Sequence, residues 1–182
     1  MAIQAAEMAK AMLDRNEKIL FKALDGLNNE DLHTRLGPDS NPIGWLMWHL
    51  SRVQDNNFSA MEGKEHAWVT EGWMDRFGWR GEGSDPRWPE QRGHGQTSDQ
   101  VAEFESPDVE TLMNYYRAVR THTNAFLDTL TEADMDRPVP SIAADGSTVP
   151  LHERIEQCLL ETMQHSGQVA FLRGLIVGKG WW

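Results

Sequence analysis

Cysteine is the scarcest chemistry-bearing residue in this 182-residue chain: Cys158 stands alone, so no internal disulfide can form and a disulfide-stapled secreted scaffold is excluded. Basic residues are also short, with 17 Lys and Arg against 28 Asp and Glu. The resulting net charge of −11 argues against nucleic acid as a partner, because a phosphate backbone is held by a basic surface. No apolar run approaches the roughly 18 residues that span a bilayer, so no membrane partner is expected. The N-terminus sets Glu7 and Lys10 among its alanines and methionines and lacks the layout of a signal peptide. With a reduced lone cysteine, this makes a cytoplasmic location the expectation. There is no strand signal, internal repeat, low-complexity segment, nucleophile elbow or phosphate-binding glycine loop.

Against these absences stands a strong helical period. From about Ile3 to Leu27, Ala9, Leu13, Leu20, Leu24 and Leu27 share one stripe, and Asn28-Asn29 ends it. Residues 36–40 read as a loop, Asn41 as a cap and Pro42 as the first position of a second helix reaching about Met61, before Gly63. Leu46, His49, Leu50 and Val53 share the inner face of that helix. Ser106 and Pro107 start a third long helix with a stripe from Val109 through Phe126 to Leu130. A linker from Asp134 to Ser147 precedes a fourth helix from near Pro150 to about Val177, lined by Leu151, Ile155, Leu159, Thr162, Ser166, Val169 and Leu172. Four amphipathic helices predict an all-α four-helix bundle, one domain over residues 1–182.

Residues 63–106 form a Trp- and Gly-rich insertion containing Trp68, Trp73, Trp79 and Trp88. A loop this long is uncommon in a compact domain and is often functional, so it is expected to fold over the open end of the bundle and wall a pocket. Inside it, Thr97-Ser98-Asp99-Gln100 resembles a capping box, predicting a short helix over about Asp99–Phe104. Trp181-Trp182 is expected to pack on the body or on another subunit.

The chemistry concentrates in Glu161-Thr162-Met163-Gln164-His165. On a helix, Glu161 and His165 project from one face a turn apart and can share a metal ion. A good site needs a third ligand, and His49 is the best candidate. The residues alone fit a buried Glu–His hydrogen-bonded cluster equally well. Arg52, one turn beyond His49, could clamp a carboxylate or sit in a surface ion pair. Gln168 could orient a ligand or water, or bond between helices. Asp55, Asn56 and His94 could approach the site; His33, His66, His122 and His152 lack matching partners. Cys158 reads as a small buried hydrophobe, not a nucleophile.

Together, Trp45–Asp55 and Leu159–Gln168 resemble the DinB-like superfamily of metal-binding four-helix bundles, as do Asn41-Pro42-Ile43-Gly44-Trp45 and Gly93-His94-Gly95-Gln96-Thr97. The usual fourth-helix pattern there is His-x-x-x-His followed by x-Gly-Gln. Here Glu161 replaces the first histidine and Ser166-Gly167-Gln168 continues the pattern. The resulting His49/Glu161/His165 set resembles the mycothiol-dependent maleylpyruvate isomerase branch. The resemblance implies crossover connections and a divalent metal, zinc foremost, with nickel, iron or manganese admitted by mixed ligation. It also implies mycothiol or another low-molecular-weight thiol as cosubstrate, a small-molecule substrate and a homodimer. The reading is a thiol-dependent transferase or isomerase with Arg52 and Gln168 as candidate catalytic residues. A metal-dependent hydrolase, or a non-enzymatic metal- or ligand-binding dimeric module, is the alternative.

Overall fold

Alanine and leucine at helical spacing build α1 (Ala5–Leu24), which buries Ala6, Ala9, Leu13, Leu20 and Leu24. The computed structural model describes residues 4–78, 92–143 and 145–178; Trp79, Trp88, Trp181 and Trp182 lie outside them. Asn28 does not merely end α1. Its side chain accepts from the Asp31 N–H while Asp31 accepts from the Asn28 N–H, and this capping box starts a short helix, α2 (Asn29–His33). α3 (Ile43–Glu62) ends at Gly63, whose φ of 72° is the left-handed conformation glycine adopts without strain. Pro42 takes the cap position of α3, and Asn41 makes no cap bond. In the insertion, α4 (Ala67–Thr70) and α5 (Trp73–Arg76) precede α6 (Ser98–Ala102), where Thr97 and Gln100 form the expected capping box. α7 (Val109–Leu127) is capped by Asp108, which accepts from the Thr111 N–H, and not by Ser106.

The second linker holds a small sheet that the sequence did not signal. β1 (Pro138–Pro140) and β2 (Thr148–Pro150) pair antiparallel with Val139 opposite Val149. Three-residue strands bounded by prolines are too short to show a period, and each proline lacks a ladder donor. The linker also replaces a side-chain cap for α8 (Leu151–Ile176): the Leu151 and His152 N–H groups donate to the Arg137 and Met135 carbonyls at 2.9 and 3.0 Å.

Side-chain contacts fix the helix directions. Phe21 meets Tyr116 while Lys10 pairs with Asp128, so α1 and α7 run antiparallel. Asp55 meets Tyr115 while Phe58 meets Phe126, so α3 and α7 run parallel. His49 meets Glu161 while Asn57 meets Cys158, so α3 and α8 run antiparallel. α8 is therefore parallel to α1, giving an up-down-down-up order. α1 and α3 each pack on α7 and α8. The parallel α3–α7 pair requires a connection that returns along the bundle, which is the crossover the insertion supplies.

The core is two apolar clusters. One joins Leu20, Leu24, Trp45, Trp48, Tyr116 and Val169; the other joins Ala9, Leu13, Phe58, Phe126, Ile155 and Cys158. Between them runs a polar belt across all four long helices. Asn16 donates to Ser166 Oγ at 2.8 Å, and Gln54 donates to Thr123 Oγ1 at 3.0 Å. The insertion seals the α3–α7 side, where Trp68, Trp73 and Phe77 surround the Tyr115 ring at 5.2, 5.4 and 5.5 Å.

Candidate metal centre

At the level of the polar belt, α3 and α8 bring three candidate ligands together. His49 Nε2 lies 3.2 Å from Glu161 Oε1, and His165 Nε2 lies 3.1 Å from the same oxygen. One donor atom from each of His49, Glu161 and His165 falls within 4.8 Å of the others, the single such His/Cys/Asp/Glu group found among the described residues. In a tetrahedral site with bonds near 2.0–2.1 Å, ligand atoms sit about 3.3 Å apart.

The outer nitrogens decide what the inner ones can do. His49 Nδ1–H donates to the Arg92 carbonyl, and His165 Nδ1–H donates to Gln168 Oε1 at 2.8 Å. Each neutral ring is thereby fixed in the tautomer that turns an Nε2 lone pair toward the carboxylate. Burial is the main force holding His49 below the usual histidine range, which favours its neutral form. Burial alone would raise the Glu161 carboxyl, yet a proton shared from His49 and a protonated His165 outweigh it and leave it low; in the neutral tautomers neither ring offers that proton. Two nitrogen lone pairs facing one carboxylate oxygen repel unless a cation sits among them, so the donor set fits a divalent metal.

Packing holds this geometry. The Trp45 ring stacks on His49 at 4.7 Å and 12°, and its Nε1–H donates to Gln96 at 2.7 Å. Gly93 passes over the Trp45 and Trp48 rings with φ 86°, and a Cβ there would come within 2.5 Å of Trp45. That close approach lets the Arg92 carbonyl reach His49. On the ligands' open side is a cavity of about 210 Å³ lined by His49, Glu161, Asn57, Gln157, Arg92 and His94, with Val53 and Ile142 as its apolar part.

Residues 12–169 match the sequence profile of the DinB superfamily. The chain belongs to that superfamily. The fold is also similar to that of a conserved protein from Enterococcus faecalis, known from a crystal structure. The two superpose with a TM-score of 0.81 at 22% identity, over 98% of this chain and 100% of that one. No curated protein matches the sequence.

The two proposed catalytic positions of this DinB protein diverge. Gln168 reaches the site through His165. Arg52 is fully buried, and its described partners are on α3, α4 and α7, not α8: Asp55 at 3.5 Å, Tyr115 at 3.5 Å and the face of Trp68 at 4.9 Å. Asp55 also accepts from the Ala67 and Trp68 N–H groups, so this pair fastens the insertion to α3. Asn56 accepts from Arg92 at 2.9 Å. Cys158 is fully buried, and burial pushes its thiol up to about 12. Arg92, Asn57 and Gln157 emerge as cavity residues that sequence reasoning missed. Arg92 adjoins the Gly93–Thr97 motif, the only signal available for it. The contribution of its backbone carbonyl has no sequence signature.

Proposed function

We propose that this DinB protein is a metal-dependent transferase or isomerase using a low-molecular-weight thiol of the mycothiol type, with zinc as its ion. The observation that carries the reading is the open side of the His49/Glu161/His165 triad on a partly polar cavity. Three protein ligands with a vacant position are the arrangement of catalytic rather than structural zinc. When bound, the cation supplies an electron-poor position at which a thiol loses its proton more readily. His49 and His165 hold their tautomers through Arg92 and Gln168, and Trp45 shields His49 from water. Glu161 brings one negative charge where the commoner family pattern has a neutral imidazole. That charge weakens the site as a Lewis acid, and a thiol, with a lower intrinsic pKa than water, loses less by it. The substitution therefore favours thiol chemistry over hydrolysis.

Cobalt-substituted protein titrated with a panel of thiols tests this. Thiol-to-metal charge-transfer bands are expected. Glu161→His should keep the metal and move the optical thiol titration to lower pH. Hydrolysis without thiol would favour a metal-dependent hydrolase, and neither signal would leave a metal- or ligand-binding module.

A further inference from the structure

We propose that Asn57 selects, through its Oδ1, the N–H of a neutral secondary amide carried by the small molecule that enters the cavity beside the candidate metal ligands. This rests on the reading of that cavity as the reaction pocket, and it names a chemical feature of the ligand and the residue that recognises it.

Among the described residues, the buried carboxamide side chains are those of Asn16, Gln54 and Asn57. Asn16 and Gln54 donate to hydroxyls of the polar belt at 2.8 and 3.0 Å. Asn57 is placed differently. It is hydrogen-bonded to the Cys158 thiol, it lines the cavity, and its Oδ1 meets no donor among the described residues. Gln54 Oε1 is also unmet, but Gln54 does not line the cavity. At 4% exposure, an unmet oxygen costs free energy that a donor arriving in the cavity recovers. His49, Val53 and Asn57 recur every fourth residue on α3, and all three line the cavity. Gln157 and Glu161 do so on the antiparallel α8. The cavity thus follows the groove between the two helices. His49 and Asn57 are about 12 Å apart along α3, at roughly 1.5 Å per residue. The candidate ligands stand toward one end, Val53 adds an apolar stretch, and Asn57 stands toward the other. A volume of about 210 Å³ limits the occupant to a small molecule. Arg92 also lines the cavity, so an ammonium donor would meet a guanidinium and a neutral donor fits better. Gln157, exposed on α8, brings a second carboxamide to the same space. A secondary amide donates through its N–H and accepts through its C=O, so it can answer both carboxamides at once. Water can occupy the place beside Oδ1, and a ligand N–H that displaces it keeps the hydrogen bond.

The test is a nuclear magnetic resonance titration of the full chain, chelator-treated and zinc-loaded, with N-propylacetamide, propyl acetate and N-methyl-N-propylacetamide. The three share a shape and a carbonyl, and the first alone has an N–H. It should bind both protein forms about tenfold more tightly than the other two, the scale of one hydrogen bond made at a buried oxygen. Asn57→Leu should bring the amide-to-ester ratio to about one, whatever it does to overall affinity or stability. Should Asn57→Leu fail to fold, Gln157→Leu, at an exposed position, places the ligands: it should weaken all three alike, because each has a carbonyl, and no change would overturn the proposal. Equal affinities for the three on the unaltered chain would make the Asn57 oxygen a water site only and overturn it. A preference that survives Asn57→Leu, a preference confined to the zinc form, or no binding of N-propylacetamide would also overturn it. The probes carry no thiol and one arm carries no metal, so this result and the cobalt–thiol titration can each fail without the other.

Discussion

Gln168 is exposed and uncharged, and it touches the candidate centre through one hydrogen bond to His165. Removing it therefore tests tautomer control with little disturbance of packing. Gln168→Leu is expected to lower metal affinity by about 10–100-fold, read by competition with a chromophoric chelator, at unchanged melting temperature. His49→Ala and His165→Ala should abolish stoichiometric metal in elemental analysis; full occupancy in both would remove the site. Gly93 and Gly95 form a matched pair, with φ of 86° and 77°. Alanine at either is strained, but only at Gly93 would its Cβ meet the Trp45 ring. Gly93→Ala should thus weaken metal binding more than Gly95→Ala, and equal effects would show that the Trp45 contact does not position the Arg92 carbonyl. Cys158, raised to about 12 and fully buried, should react with a thiol-specific reagent at pH 8 only after unfolding.

Among the elements, α7 hangs on its cap. The Thr111 backbone N–H holds the Asp108 carboxyl below the ordinary aspartate value of 3.8. A depressed folded pKa means stability that is present above 3.8 and lost as pH falls through the lower folded value. Asp108→Ala should cost about 1 kcal/mol near neutral pH, and the gap between the two thermal melts should close in acid below the ordinary aspartate range. A constant gap would deny the cap its charge. Asp108 also shows how legible the sequence was. The apolar stripes placed α1, α3, α7 and α8 to within a few residues, because burial imposes their period. Ser106, Pro107 and Asp108 all suit a helix start, and only backbone geometry chooses among them. That Glu161 and His165 lie together was readable because one helical turn separates them; that His49 joins them was readable only through its motif. Arg52 was singled out by its spacing from His49, and the contacts that Asp55 and Tyr115 make with it, on the α7 side, have no sequence signature.

Across the whole molecule, the insertion behaves as part of the body where it is described. Trp68 is fully buried against Tyr115, and Trp68→Ala should cost about 3–5 kcal/mol. Proteases should cut slowly within 66–78 and 92–104, as mass spectrometry of native digests can check. The homodimer we propose would use a different face. An apolar cavity of about 340 Å³ lies between α1 and α8, away from the ligands, flanked by exposed Met8, Met12 and Leu160. Leu160→Glu should then convert a dimer into a monomer in sedimentation equilibrium, and an unchanged mass would discount that face. The order of the helices also governs how the protein is made. His49 and Glu161 stand 112 residues apart, so at about 5–20 residues per second the first candidate ligand waits roughly 6–22 s on the ribosome for the second. In that interval α1, α3 and α7 exist without α8, one of the two helices that bridge α1 to α3. On the proposed metal reading, capture is a late event of biosynthesis, and a nascent chain arrested before α8 should emerge metal-free, however much zinc surrounds it.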